Sequence, residues 1–375
     1  MGLITTPAGY NASTMGLRAL LESTRSALET EIRGVDQSDL TWERRLWLYR
    51  HGFLSTKDAV WDLTPGTVAQ YLSDVEYRRV RGIDDPYTEA LANKLLFHLL
   101  VSPTHDHLLP DIYGVVMDGT FVDVPGISEA GSFEQLLERL ADAPAIAKPI
   151  QAARGDEIQR IDRLDGQLRL DGRPIERTAL SETLTGGRDR LLIEHVSQAE
   201  YAARIAPDST NTIRLLTMSD PETGEPFVAR AVHRFGTPSS GHIDNWEAGG
   251  LSAEIDLDTG TLSRAVANPH SDTVVEGWND SHPETGTRIV DCTVPGWERI
   301  SASVRELAGA YARLWPHVGW DVVVRDDAGS ITVLEGDPQS ADADIQAHGP
   351  LLADDRVRRF YRHHGVLSSE RRGLA

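Results

Sequence analysis

Three carboxylates near the C-terminal end of the chain have the spacing to meet. Gly319-Trp320-Asp321-Val322-Val323-Val324 and Ile331-Thr332-Val333-Leu334-Glu335-Gly336-Asp337 are apolar runs, separated by Asp326-Asp327-Ala328-Gly329-Ser330. Two such runs around a short Gly-containing turn predict a β-hairpin. With the loop at 326–330, Arg325 faces Ile331 and Asp321 faces Glu335. Asp337 lies two residues further on and points to the same face. Opposed carboxylates repel one another. A hard divalent cation that takes oxygen ligands, such as magnesium, would remove that repulsion. Asp321, Glu335 and Asp337 are therefore the candidate metal ligands. The competing reading is an outer face of an acidic protein, and the apolar strands that hold Asp321 and Glu335 speak against it.

The basic residues supply the second half of a possible site. Lys and Arg number 37, yet only three are lysines: Lys57, Lys94 and Lys148. In a chain that favours Arg, a remaining Lys is a candidate for a place that needs a compact point charge, as a tight phosphate site does; the competing reading is that some lysines survive by chance. Lys148 lies near the end of Ala145-Ile146-Ala147-Lys148-Pro149-Ile150, which reads as a strand, and Gly155 lies in the polar turn that follows. The chain has no G-x-x-x-x-G-K-[ST] and no kinase set with H-R-D. A strand-borne Lys, a turn with one Gly and a distant carboxylate hairpin still meet the needs of phosphoryl transfer. The Lys neutralises phosphate, backbone N–H groups cover it, and a metal bridges its oxygens.

The elements that must position these groups follow from periodicity. Residues 12–80 read as helical, with a stop at His51-Gly52-Phe53 and a possible cap at Ser55 or Thr56. Residues 86–100 read as one helix carrying Asn93-Lys94, and His105, Asp106 and His107 as a polar loop. Strands are expected at 112–116, 145–150, 158–170, 191–196, 211–218, 227–235 and 251–257, and helices at 133–140 and 297–314. Helices and strands are mixed rather than strictly alternating, which favours an α+β fold over a parallel doubly wound sheet.

The order of these motifs resembles the ATP-grasp superfamily. Asn93-Lys94 and Lys148-Pro149 with Gly155 look like its two nucleotide lysines and its phosphate loop. Leu191-Leu192-Ile193-Glu194-His195-Val196 is similar to its hinge strand, and Asp321, Glu335 and Asp337 to its metal set. The middle stretch is similar to the ribosomal-protein glutamate-ligase type, and closer still to the sugar-transfer-associated branch. The residues carrying this are Asn211-Thr212-Ile213-Arg214, 230–236, Asp244-Asn245, Gly249-Gly250, Asp256-Leu257-Asp258-Thr259-Gly260, His282-Pro283 and Pro295-Gly296-Trp297. The resemblance covers about residues 84–350. Two departures stand out: Asp337 occupies a position that is usually Asn, and the phosphate loop, Ala152-Ala153-Arg154-Gly155, has few glycines.

The resemblance implies two α+β subdomains clasping ATP with Mg2+, Mn2+ being an alternative metal. The boundaries would be 1–83 for an N-terminal helical region, 84–195 for the small subdomain and 196–375 for the large one. It implies a carboxylate–amine or carboxylate–nucleophile ligase acting through an acyl phosphate, on a sugar or surface-polysaccharide precursor. Lys94, Lys148 and Gly155 would hold phosphates, Glu194 and Val196 adenine, and Glu200 the ribose. Arg214 and Arg234 would hold the transferred phosphoryl group or the acceptor carboxylate. Asn245 and the amides of Gly249 and Gly250 would cradle the acyl phosphate. Arg230 is a further candidate. The alternatives are a nucleotide-binding scaffold without turnover and a kinase acting on a sugar hydroxyl.

Composition narrows the partners. Fifty-seven acids against 37 bases give a formal net charge of −20, a surface that repels nucleic acid and anionic membranes. The acid excess with little Lys suggests a salt-adapted, halophilic source. Cys292 is the single cysteine, so no internal disulfide is expected, which fits a reducing, cytoplasmic setting. Neither a secretory signal nor an apolar run of about 18 residues is read in the chain.

Overall fold

Strand-forming runs before and after residue 200 go to different sheets. The computed structural model describes residues 40–367, apart from 142, 152–156, 242, 272–274, 276, 341 and 342. The first sheet takes β1 (Ile112–Met117), β2 (Thr120–Val122), β3 (Ser128–Ala130), β4 (Ala145–Pro149), β5 (Gln159–Leu164), β6 (Gln167–Leu170), β7 (Arg173–Pro174) and β8 (Arg190–Glu194). Its order is β2-β1-β8-β4-β5-β6-β7, with β3 parallel to β1 and every other pairing antiparallel. The second takes β9 (Ile213–Ser219), β10 (Pro226–Phe235), β11 (Leu251–Ile255), β12 (Leu262–Ala267), β13 (Trp278–Asn279), β14 (His317–Val324) and β15 (Ile331–Asp337). It is antiparallel throughout, in the order β13-β12-β11-β10-β9-β14-β15. The expected α+β class is what the chain adopts.

Alternation along β4 decides what lies on each side of the first sheet. Ala145 and Ala147 join Leu136, Leu137, Leu180 and Leu184 from the helices Phe133–Arg139 and Arg177–Thr185. The intervening residues face the other way, where Ile146 and Ile150 pack with Leu95, Leu191 and Ile193. The helix Lys94–His105 fills that side. Leu95 joins the first sheet, while Phe97 and Val101 join the core of the second with Trp315 and Trp320. The helix is thus a wedge between the sheets. Burying an aromatic such as Phe97 contributes about 2–3 kcal/mol.

Four local expectations need correction. The span 86–100 is two helices, Thr88–Ala92 and Lys94–His105, because Asn93 is extended and its Oδ1 accepts from the N–H groups of Leu95 and Leu96 at 3.1 and 3.0 Å. Such a cap starts a new helix, and Lys94 is its first residue. His105 is helical rather than in a loop, and Asp106–Leu108 is one 3-10 turn. The described part of the N-terminal region holds only two α-helices, Trp42–Arg50 and Asp74–Val80. Gly52 at φ +83° ends the first, and a capping box of Ser73 and Glu76 opens the second. Residues 12–39 lie outside the described residues.

The fourth correction concerns the hairpin. Val324, not Arg325, pairs with Ile331, so the turn is one residue longer on its first side than expected. A bulge at Leu334 restores the register, and Asp321 does face Glu335. The extra residue leaves the carbonyl of Leu334 outside the ladder, where it meets Lys148. Among the described residues no helix is long and apolar enough to cross a membrane.

Candidate active site

Lys94 and Lys148 converge on the same strand from opposite sides. Lys148 pairs across to Leu191 of β8, and its Nζ donates to the carbonyl of Leu334 at 3.1 Å. Lys94 reaches the next residue, with Nζ 3.1 Å from Oε2 of Glu335. Lys94, His98, Lys148, Leu191, Ile193, Val333 and Leu334 are among the residues that line one narrow cleft between the sheets. Its walls are apolar and its polar groups are nitrogen donors, which suits a ligand with a flat apolar part and an anionic part.

The electrostatics of the cleft are uneven. Burial pushes the Lys148 ammonium down to about pH 8; Glu335 opposes this and Lys94 adds to it. Burial also pushes the Glu335 carboxyl up, but Lys94 and Lys148 outweigh it and hold the group below the usual range. His98 was not singled out in the sequence. It is 7% exposed, and burial holds its imidazole below the ordinary value. Its spacing four residues after Lys94, which puts both on one face of a helix, was the available signal.

Arg214, Arg234 and Asp321 form a separate buried network. Asp321 Oδ1 accepts from Arg214 Nε, while its Oδ2 accepts from Arg214 Nη2 at 3.0 Å and lies 2.7 Å from Arg234 Nη2. Arg214 Nη1 donates to Asp337 Oδ2 at 2.9 Å and to Ser340 Oγ at 2.7 Å. Arg234 also donates to Thr212 Oγ1 at 2.7 and 3.1 Å, and Asp244 Oδ2 accepts from both the N–H and the hydroxyl of Thr212 at 2.6 Å. Burial alone would raise the Asp321 carboxyl, but the two guanidinium groups pull it far below its usual value. Gly319 permits the crossing, since a Cβ there would lie 1.8 Å from Ser340 Oγ and 3.0 Å from Arg214 Cδ.

This changes how the three acids are neutralised. The sequence put a metal between them; the described structure puts Arg214 between Asp321 and Asp337, and Lys94 on Glu335. Among the described residues no group of three or more His, Cys, Asp or Glu is gathered to hold a metal ion. The donor chemistry nonetheless fits a hard cation at two of the three. Both oxygens of Asp321 are taken by guanidinium groups, whereas the side chains of Glu335 and Asp337 are 34% and 30% exposed and carry free lone-pair capacity.

The remaining candidates fall at varied distances from this centre. Glu194 is paired with Arg325 at 3.0 Å; burial raises its pKa and Arg325 opposes the rise. Val196 is buried beside it. Glu200 is 79% exposed and 3.7 Å from Arg204 on a surface helix. Asn245 caps a 3-10 turn through Glu247 N, and Gly249 ends it at φ +100°. The amides of Gly249 and Gly250 donate to Trp246 and Asn245 within that turn. Arg230 is paired with Glu254 at 3.4 Å. Gly155 lies outside the described residues. Cys292 is half-buried, as a small packing residue would be.

A wedge helix and two antiparallel sheets that close on a lysine-lined cleft define an ATP-grasp fold. The chain belongs to the sugar-transfer associated ATP-grasp family, whose model matches residues 84–352. No curated protein matches. Similar solved structures include the D-cycloserine synthetase DcsG, at 16% identity over 74% of this chain and 70% of that one, with a TM-score of 0.36. The D-alanine–D-alanine ligase of Coxiella burnetii is similar at 11% identity over 74% and 60%, TM-score 0.35. So is the ATP-grasp ligase PsnB complexed with a minimal precursor, Mg and ADP, at 11% over 75% and 60%, TM-score 0.36. The chain thus spans less than two thirds of the last two.

Proposed function

We propose that this protein is an ATP-dependent ligase that activates a carboxylate as an acyl phosphate and passes it to an amine or a sugar-borne nucleophile. The carrying observation is the convergence of Lys94 and Lys148, from segments 54 residues apart in sequence, on adjacent residues of β15 in one cleft. Residues 84–195 supply the lysines and Glu194, and residues 196–375 the arginines and acids. The apolar walls take the base, with Glu194 and Val196 at its edge and Glu200 toward the ribose, while Lys94 and Lys148 hold the phosphates. Glu335 and Asp337 would hold Mg2+, with Asp321 fixing Arg214 and Arg234 behind them. The metal would neutralise charge on the transferred phosphoryl oxygens.

Position and charge do most of this chemistry. A carboxylate oxygen bonds to the γ-phosphorus as the bridging P–O bond to ADP breaks. The incoming nucleophile then bonds to the acyl carbon, loses its proton to solvent, and phosphate departs. Arg214 has every side-chain nitrogen engaged, but Nη1 of Arg234 makes no hydrogen bond among the described residues. Arg234 therefore presents the donor that meets the acceptor carboxylate or phosphoryl group. The amides of Gly249 and Gly250 are engaged in their own turn, so they serve to place Asp244 and Asn245.

The test is ADP release from Mg–ATP over a panel of small carboxylates and sugar acids, with hydroxylamine present. Carboxylate-dependent ADP release with hydroxamate formation is expected, and Lys148→Ala removes both. A stable phosphorylated sugar product instead points to a kinase, and ATP binding without turnover on any acceptor points to a scaffold.

A further inference from the structure

His98 is a buried polar side chain that the protein leaves unmatched. It is 7% exposed, and among the described residues its ring makes no hydrogen bond or ion pair. Its ring nitrogens are not among the fully buried atoms without a partner, so they keep access to solvent from the cleft that the residue lines. The other histidines of comparable burial show what satisfaction looks like. His233 meets Tyr201 Oη at 2.9 Å and His282 meets the Gly236 carbonyl at 2.8 Å, while His317 meets Tyr361 Oη at 3.1 Å through Nε2 and leaves Nδ1 without a partner among the described residues.

What distinguishes His98 is its place. It lines the cleft with Lys94 and Lys148, and it stands one helical turn beyond Lys94 on the same face. The opposite walls, Leu191, Ile193, Val333 and Leu334, offer no side-chain polar group. A ligand that seats its apolar part on those walls turns its anionic part toward the three nitrogen-bearing side chains. We propose that His98 binds the phosphate end of the nucleotide directly, as a third donor beside the two lysines. The inference rests on the nucleotide reading of this cleft and adds a residue to it. Its ring is neutral near pH 7, because burial and Lys148 outweigh the pull of Asp106 and Asp111. A neutral ring offers one N–H to a phosphate oxygen without placing a third full charge beside the lysines.

The experiment measures Kd for Mg–ADP and for adenosine by calorimetry in the wild type, His98→Phe and His98→Gln. The imidazole signals of His98 are followed by NMR in the wild type alone. His98→Phe is expected to weaken Mg–ADP about tenfold and leave adenosine unchanged, the size of one lost hydrogen bond. His98→Gln, which keeps an N–H donor, should stay within about threefold of wild type. The ring signals should shift on adding Mg–ADP and stay in place with adenosine. Equal Mg–ADP affinity in wild type and His98→Phe, with unmoved ring signals, overturns the proposal, and the wild-type spectrum decides this even if the Phe variant does not fold. Equal weakening of adenosine and Mg–ADP moves the contact to the base and overturns the phosphate assignment. A wild type that binds neither overturns the nucleotide reading of the cleft itself, an outcome separate from any effect of the variants.

Discussion

The molecule treats its buried cations in two opposite ways. On the Arg side, Arg214 and Arg234 share Asp321, with Asp337, Asp244, Thr212 and Ser340 taking every other position but Nη1 of Arg234. On the Lys side, the Lys148 ammonium is buried with one backbone carbonyl as its partner, and His98 has none among the described residues. Both sets sit against the same hairpin, β14 and β15, so burial alone does not separate them. The difference is that the Arg network is closed among the described residues except at Nη1 of Arg234, whereas on the Lys side, under the proposed function, an entering phosphate would supply the missing partners. A nearly closed network fixes geometry; an open one leaves donors for a ligand.

The contrast breaks most visibly at Asp321. Asp321→Ala leaves two guanidinium groups buried with their shared counter-charge gone, a loss of about 3–5 kcal/mol in unfolding free energy. Urea denaturation measures it. A loss below about 1 kcal/mol would mean that the Arg network is no more tightly built than a surface pair, and the two sides would not differ in kind.

Lys148→Met asks the opposite question. Removing a buried and poorly compensated charge should leave stability unchanged or raise it by about 1–2 kcal/mol. The same change should weaken Mg–ADP on the order of 10- to 100-fold, as loss of a charge-assisted contact does. Destabilisation comparable to that of Asp321→Ala would show that Lys148 serves the fold first.

Legibility from sequence followed the same division. Lys94 and Lys148 stood out because Lys is scarce in this chain, and the family order of motifs placed both. The facing of Asp321 and Glu335 was reached although the turn register was off by one. An alternating pattern fixes which face a side chain takes, but a single bulge, here Leu334, is invisible to it. The pairing of Asp321 with two arginines was not legible, because Arg214 and Arg234 come from strands more than 80 residues away and a carboxylate reads alike beside a metal or a guanidinium. His98 was missed for a similar reason. Residues 94 and 98 share a face in the expected 86–100 helix as well, but an i,i+4 spacing does not show that this face turns toward Lys148 and the cleft. The fold class was legible because it depends on the spacing of many short runs rather than on any one boundary.

Titration sharpens the Lys side further. Because burial lowers the Lys148 ammonium from its ordinary value near 10.5 to about 8, the folded protein holds fewer protons than the unfolded chain between those values. Stability therefore rises with pH across that window. Nucleotide binding runs the other way, since an anion favours the protonated amine. Mg–ADP affinity is flat below about pH 8 and falls by up to tenfold per unit above it. Calorimetry in two buffers of different ionisation enthalpy should show proton uptake on binding near pH 8.5, absent in Lys148→Met. Affinity independent of pH from 7 to 9.5 would remove Lys148 from the binding site.

The smallest expected effect lies where the ends of two interior strands, β8 and β14, tie the sheets together. Arg325 follows β14 and Glu194 ends β8, and their 3.0 Å ion pair joins the sheets at a position where the Arg side chain is 40% exposed. A pair so open to water stabilises by less than about 1 kcal/mol, so Arg325→Ala should barely move the urea midpoint. Its consequence for binding depends on which side of the contrast Glu194 belongs to. If Glu194 is a ligand-facing group, Arg325 competes with adenine for its carboxylate, and Arg325→Ala leaves adenosine affinity equal or slightly tighter while Glu194→Ala weakens it several-fold. If the pair is a closed unit like Arg214 and Asp321, both variants weaken adenosine alike, because the hinge strand loses its tether in either case. Comparing the two adenosine affinities therefore assigns Glu194 to the open Lys side or to the more nearly closed Arg side.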